Sequence, residues 1–180
     1  MHLATCLHPR LPTDSAEEPK ALSIIKNWAS NATGFIKITD PFFGLDELDF
    51  VNLIRGVNPS IPIFILTSRK HQNIIQQPWD DAYQSHWRMK ISDSEAGEVT
   101  MTVVGKITND EHPIHDRWWL TENNGLRFGT SANSLGTVKV SELSALDQSD
   151  TTAKLIEVDR YFSGINMLGT ERLRYLTFKL

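Results

Sequence analysis

The sequence predicts an α/β protein with a mixed sheet flanked by helices. Short apolar runs of strand length alternate with helical periodicity in its first half, and a strong hairpin signal follows in its second half. Of the 180 residues, 40% are hydrophobic and 22% are charged, an ordinary globular composition that argues against extensive disorder. We expect an irregular lead-in at residues 1–15 and one domain over residues 16–180.

The N-terminal half is predicted to form a helix and then a β-α-β unit. Ser15 and Glu18 have the spacing of a capping box, so the first helix is expected to begin there. Asp40-Pro41 stops a β-branched and aromatic run, which indicates the end of a strand. The second strand is continuously apolar, as expected of a strand buried on both faces of a parallel sheet. The predicted elements are a helix over 16–31, a strand over 35–39, a helix over 45–56 and a strand over 61–67.

The C-terminal half is predicted to add further strands and one more helix. Asn124-Gly125 lies between two apolar runs and is a strong hairpin signal. Helical spacing after Asp150 and alternation at the C-terminus indicate a helix and a final strand. Residues 68–98 are polar, and no element is predicted there. The predicted elements are strands over 99–107, 118–121, 126–130 and 138–143, a helix over 150–162 and a strand over 173–180.

Charge, cysteine content and hydropathy disfavour several classes of protein. The net charge of −4 disfavours a protein that coats nucleic acid through a general basic surface. Cys6 is the only cysteine, which excludes an internal disulfide and fits a reducing, cytoplasmic compartment. No apolar stretch reaches the roughly 18 residues of a membrane-spanning helix. No metal or cofactor is expected, because the sequence has no phosphate-binding glycine loop, dinucleotide fingerprint or metal-ligand spacing.

The segment from His115 to Asn133 carries the residue types that phosphodiester chemistry needs. A neutral imidazole attacks phosphorus, and guanidinium, hydroxyl and amide groups bind the developing charge. His115 and Arg117 are two residues apart, so they share one face if both lie in a strand. Thr130 and Asn133 follow a glycine farther along the chain.

The spacing of this segment resembles the H-x-K-x4-D-x6-G-S-x-x-N signature of the phospholipase D superfamily. Every gap is preserved, with three identical and three chemically related residues. The matching positions are His115, Arg117, Glu122, Gly129, Thr130 and Asn133. The β-α-β unit before the segment and the helix after it extend the resemblance over roughly residues 33–163. The resemblance implies a phospholipase D-like half-domain.

The resemblance also implies a role for each matching side chain. The motif histidine of the family forms a covalent phosphohistidine, a role that falls to His115. The family's lysine and asparagine bind phosphate oxygens, which assigns phosphate binding to Arg117 and Asn133, with Thr130 as a further donor. Glu122 stands in for the carboxylate that orients the site. For Arg117, the alternative to phosphate contact is an ion pair with Glu122 or Asp116.

The family builds its site from two motifs, whereas this chain carries one. The resemblance therefore implies a homodimer with a metal-independent phosphodiesterase or nuclease site, and with nucleic acid or another phosphodiester as substrate. A second resemblance points away from catalysis. The sequence from Ile114 to Arg117 is similar to one in the phospholipase D-like C-terminal domain of MIT-domain proteins, which is a non-catalytic dimer on acidic membranes. The alternative is thus an inactive binding or assembly module for anionic lipid, nucleic acid or a protein partner.

Overall fold

The computed structural model describes residues 18–129 and 143–180, and for residues 18–20 the backbone only. The helices are α1 (Glu18–Ser30), α2 (Leu48–Val57), α3 (Arg69–Gln72), α4 (Trp79–His86) with a π-helical turn at Trp87–Ile91, and α5 (Gln148–Phe162). The strands are β1 (Ile36–Thr39), β2 (Ile63–Ser68), β3 (Val99–Lys106), β4 (Arg117–Leu120), β5 (Gly125–Phe128), β6 (Leu143–Leu146), β7 (Met167–Leu168) and β8 (Glu171–Lys179).

The strands form one mixed sheet in the order β6-β5-β4-β1-β2-β3-β8-β7. The central strands β1, β2 and β3 are parallel neighbours, and β4 and β8 flank them in antiparallel orientation. Hydrophobic residues of α1, α2 and α4 cover one face of the sheet, whereas α5 packs on the other. This arrangement confirms the predicted α/β class. No helix in the described ranges is long and apolar enough to span a membrane.

Adjacent tryptophans of β4 anchor the two layers to the sheet. The centroid of the Trp119 ring lies 5.4 Å from that of Phe50 in α2 and 4.8 Å from that of Phe128 in β5. Trp118 points to the opposite face, where Lys154 of α5 sits 4.2 Å above its ring. Both indoles are buried, because successive side chains of a strand alternate between faces and each face is covered.

The sequence missed the helices between β2 and β3. Trp79, Tyr83 and Trp87 are all buried against the core, and their four-residue spacing is the helical signal that the polar residues between them obscured. The predicted hairpin is confirmed by the pairing of β4 with β5. The strand predicted over 138–143 falls mostly outside the described residues, and β6 is described over Leu143–Leu146. The final strand is confirmed as β8, which pairs with β3.

A buried polar network joins the loop after β1 to α3 and α4. The backbone carbonyl of Phe43 accepts hydrogen bonds from Thr67 Oγ1 at 2.9 Å and from Gln72 Nε2 at 2.7 Å. The hydroxyl of Tyr83 donates to Gln72 Oε1 at 2.7 Å, and burial raises its pKa. Gln72 of α3 thus connects the loop to Tyr83 of α4, and the buried amide of Gln72 has a partner for its nitrogen and for its oxygen.

We expect Tyr83→Phe to lower the free energy of unfolding by about 1–3 kcal/mol, because Gln72 Oε1 is then left buried without this donor. Tyr175→Phe is the matched control, since the Tyr175 hydroxyl donates to the Ile165 carbonyl in a part-buried position that water can reach. Its loss should cost about 1 kcal/mol or less. Urea unfolding of both variants measures the difference, and equal losses contradict the assignment.

Candidate functional site

The candidate site lies at the carboxyl edge of the parallel strands, where ligands of open α/β sheets bind. β1 has the parallel strand β2 on one side and the antiparallel strand β4 on the other. Thr39 is paired with Trp118, so the residue that follows β1 meets the residue that begins β4. These two residues are Asp40 and Arg117, and tertiary structure alone brings them together.

Arg117 is oriented by a buried carboxylate and an aromatic ring. Its Nε lies 3.3 Å from Asp40 Oδ1, and its guanidinium carbon lies 4.9 Å from the centre of the Phe42 ring. Asp40 is only 1% exposed, and the same oxygen accepts the Phe42 backbone N–H at 2.8 Å. The expected ion pair of Arg117 therefore forms, but its partner is Asp40 rather than Glu122 or Asp116.

His115 is exposed and lies in the segment that leads into β4. The strand begins only at Arg117, so strand alternation does not by itself set the relative direction of the two side chains. The segment nevertheless keeps the imidazole within two residues of the guanidinium. A guanidinium held in place can bind an anion, and an exposed imidazole is a group that can attack one.

His112 shapes the backbone just before His115, and the sequence motif does not include it. His112 is buried, and its Nδ1 lies 2.5 Å from the carbonyl oxygen and 3.0 Å from the backbone nitrogen of Ile114. Its Nε2 is buried and has no hydrogen-bond partner among the described residues. Burial is the main reason that the pKa of His112 is lowered to about 4, with a smaller lowering by His115 and an opposing contribution from the Ile114 backbone, so the ring is neutral around pH 7.

Glu122 lies beyond the opposite end of β4, away from Arg117. It packs against Gly34, where a Cβ atom would come within 2.5 Å of Glu122 Cδ. Gly34 also has a φ of +71°, which favours glycine. The described structure therefore brings Arg117 together with Asp40 and places Glu122 elsewhere, while His115 lies two residues before Arg117 in the chain. Thr130 and Asn133 lie outside the described residues.

The loop from β3 to β4, which carries His112 and His115, is held by charge. Asp110 Oδ1 accepts a hydrogen bond from Arg174 Nε at 2.8 Å and lies 3.4 Å from Arg69 Nε. These contacts link the loop to β8 and to the first residue of α3. No sequence pattern predicted these contacts, since their partners are distant in the chain. Among the described residues no group of three or more His, Cys, Asp or Glu is placed to hold a metal ion.

Comparison with known proteins identifies the fold. No protein-family model and no curated protein matches the sequence. Among solved structures, NucT from Helicobacter pylori superposes with a TM-score of 0.50 at 13% identity. The match covers 87% of this chain and 92% of NucT.

An archaeal chromatin protein, TrmBL2, matches with a TM-score of 0.48 at 9% identity. That match covers 84% of this chain and 50% of TrmBL2. The mixed sheet, its flanking helices and the nearly full-length likeness to NucT show that this chain has a phospholipase D-like fold.

Proposed function

We propose that the protein is a phospholipase D-like, dimeric, metal-independent phosphodiesterase that acts on nucleic acid. One observation carries the proposal: His115 is exposed two residues before Arg117, which a buried carboxylate holds at the carboxyl edge of the sheet. The likeness to NucT supports the fold in which such a site is expected. The motif spacing supports the assignment of the histidine as nucleophile.

Arg117 binds the phosphate in this proposal. A guanidinium has five N–H donors, so the contact of Nε with Asp40 leaves the terminal nitrogens for phosphate oxygens. Asp40 fixes the side chain, which reduces the entropy that phosphate binding would otherwise cost. Thr130 and Asn133 are proposed to contribute further donors, as the motif spacing predicts.

His115 is proposed to attack phosphorus through a ring nitrogen. The N–P bond forms as the P–O bond to the leaving alcohol breaks, and the leaving oxygen takes a proton. Water then attacks the phosphohistidine and releases the phosphate monoester. Proton transfer to the leaving group requires a second acid, for which we propose His115 of a second copy of the chain, related by a two-fold axis.

The second candidate function is an inactive binding or assembly module for anionic lipid, nucleic acid or a protein partner. The ion pair of Arg117 with Asp40 favours it, because the carboxylate offsets part of the positive charge that catalysis would use. The position of Glu122 beside Gly34, beyond the end of β4 opposite to Arg117, favours it as well. Both candidates share the phosphate contact at Arg117 and differ in whether wild type turns over a phosphodiester.

We expect the protein to be a homodimer in solution, because one chain carries a single motif. Light scattering at micromolar concentration should report twice the chain mass of 20.4 kDa. A monomer at every concentration contradicts a site shared by two chains.

We expect His115→Ala to abolish turnover of a chromogenic phosphodiester and to leave affinity for inorganic phosphate within about twofold of wild type, because the imidazole acts in the covalent step. Arg117→Ala should weaken phosphate affinity at least tenfold, since hydrogen bonds to charged groups contribute about 1.5–3 kcal/mol. Calorimetry measures affinity, and a steady-state assay measures turnover.

Two controls separate chemistry from stability in this experiment. Arg117→Gln combined with Asp40→Asn removes both charges of the ion pair, so a loss of phosphate binding is separated from the cost of breaking that pair. Arg88→Ala removes an exposed cation outside the site and should change neither readout. Turnover absent in wild type, with binding that depends on Arg117, identifies the inactive module. Folded variants with unchanged binding and turnover contradict the site.

We expect any turnover to continue in EDTA, because the proposed nucleophile is an imidazole and needs no metal-bound hydroxide. The same assay before and after chelation checks this. Complete loss in EDTA that magnesium restores contradicts the mechanism.

A further inference from the structure

An apolar groove of about 500 Å³ adjoins the candidate phosphate site. Phe42 and His71 form one part of its lining, with ring centroids 5.7 Å apart in an edge-to-face arrangement, and Ile74 forms another. Phe42 is shared by the groove and the phosphate site, because its ring also packs against the Arg117 guanidinium. The groove therefore opens directly beside the cation that is proposed to bind phosphate.

We propose that this groove is a base subsite, which holds one unstacked nucleobase of a nucleic acid whose phosphate lies on Arg117. The inference rests on the proposed function, because it takes the phosphate contact as given. It adds the part of the substrate that this surface recognises and the residues that recognise it.

The exposed apolar side chains of the groove support this occupant. Phe42 is 48% exposed and Ile74 is 77% exposed, although both have large apolar surfaces that folding normally buries. A nucleobase presents a flat π-face, and stacking of bases on aromatic side chains is a common way to bind single strands. The groove volume is within the range of small-molecule pockets, so it can enclose a base.

The charges around the groove determine which part of a nucleotide fits. Asp46 and Glu47 line it, so an anionic phosphate inside the groove would be repelled. A neutral base fits instead, and the exocyclic amino groups of adenine, cytosine and guanine are donors that the exposed Asp46 carboxylate can accept. Burial lowers the pKa of His71, so its neutral ring can both donate and accept a hydrogen bond.

The distance between the Arg117 guanidinium and the groove is short enough for the phosphate and the base of one nucleotide to occupy both. The Arg117 guanidinium carbon is 4.9 Å from the centre of the Phe42 ring, so a phosphate on the one and a base on the other belong to neighbouring parts of a strand. A phospholipid with its phosphate on Arg117 would instead place an acyl chain in the groove. The lining by Glu47, Asp46 and His71 disfavours a chain that has no hydrogen-bonding groups.

The test compares two single strands of equal length and charge, a short oligodeoxyadenylate and its abasic counterpart, by fluorescence anisotropy on the full chain. Wild type should bind the base-bearing strand about tenfold more tightly. Phe42→Leu should abolish that preference, which is the ratio of the two affinities and is therefore measured separately from any change at Arg117, a change that the abasic strand reports by itself. Phe162→Leu removes a half-buried aromatic ring that packs on Phe64 of β2, and it should keep the preference.

Deoxyadenosine and acidic phosphatidylglycerol vesicles complete the design, with deoxyadenosine binding followed by NMR. Equal affinity for the two strands, or a preference that survives Phe42→Leu, overturns the base subsite, while abasic binding that depends on Arg117 still supports the proposed function. Deoxyadenosine binding that depends on Phe42, without abasic binding, supports the subsite and overturns the phosphate site. Vesicle binding lost in Phe42→Leu, with no base preference, assigns the groove to lipid and overturns the proposal. Failure to bind any probe overturns both.

Discussion

The candidate site depends on one buried carboxylate at the end of β1. Asp40 accepts the backbone N–H of Phe42, and the same oxygen contacts the Nε of Arg117. These contacts set the turn after β1, the direction of the guanidinium and the position of the aromatic ring beneath it. A carboxylate this buried is stable only with such partners, so the turn and the cation are coupled. Any ligand of Arg117 therefore binds to a preorganised group.

The loop after β1 is also supported from the other side. The carbonyl of Phe43 accepts hydrogen bonds from Thr67 and Gln72, and Tyr83 in turn holds the Gln72 amide. The groove beside Phe42 thus rests on a buried network rather than on a loose loop. This support allows a half-exposed aromatic ring to stay in one place, which both the phosphate contact and the proposed base subsite require.

Most of the fold follows from local patterns in the sequence. The apolar runs that became β1 and β2, the Asn124-Gly125 turn and the alternation of β8 are signals that neighbouring residues create together. Residues 68–98 show the limit of such patterns. Trp79 and Tyr83 are spaced for a helix, but the polar residues between them hide the period, and only packing against the core reveals it.

The sequence by itself determined the α/β class, the hairpin and the adjacency of His115 and Arg117, because these depend on residues that are close in the chain. Tertiary structure alone decided that Asp40, 77 positions from Arg117, is its carboxylate partner, since that contact arises from the antiparallel pairing of β1 with β4. It also decided that Glu122 lies away from Arg117. The sequence spacing of a motif shows which residue types follow one another along a strand. It does not show which residues of other strands lie beside them, because that depends on how the strands pair.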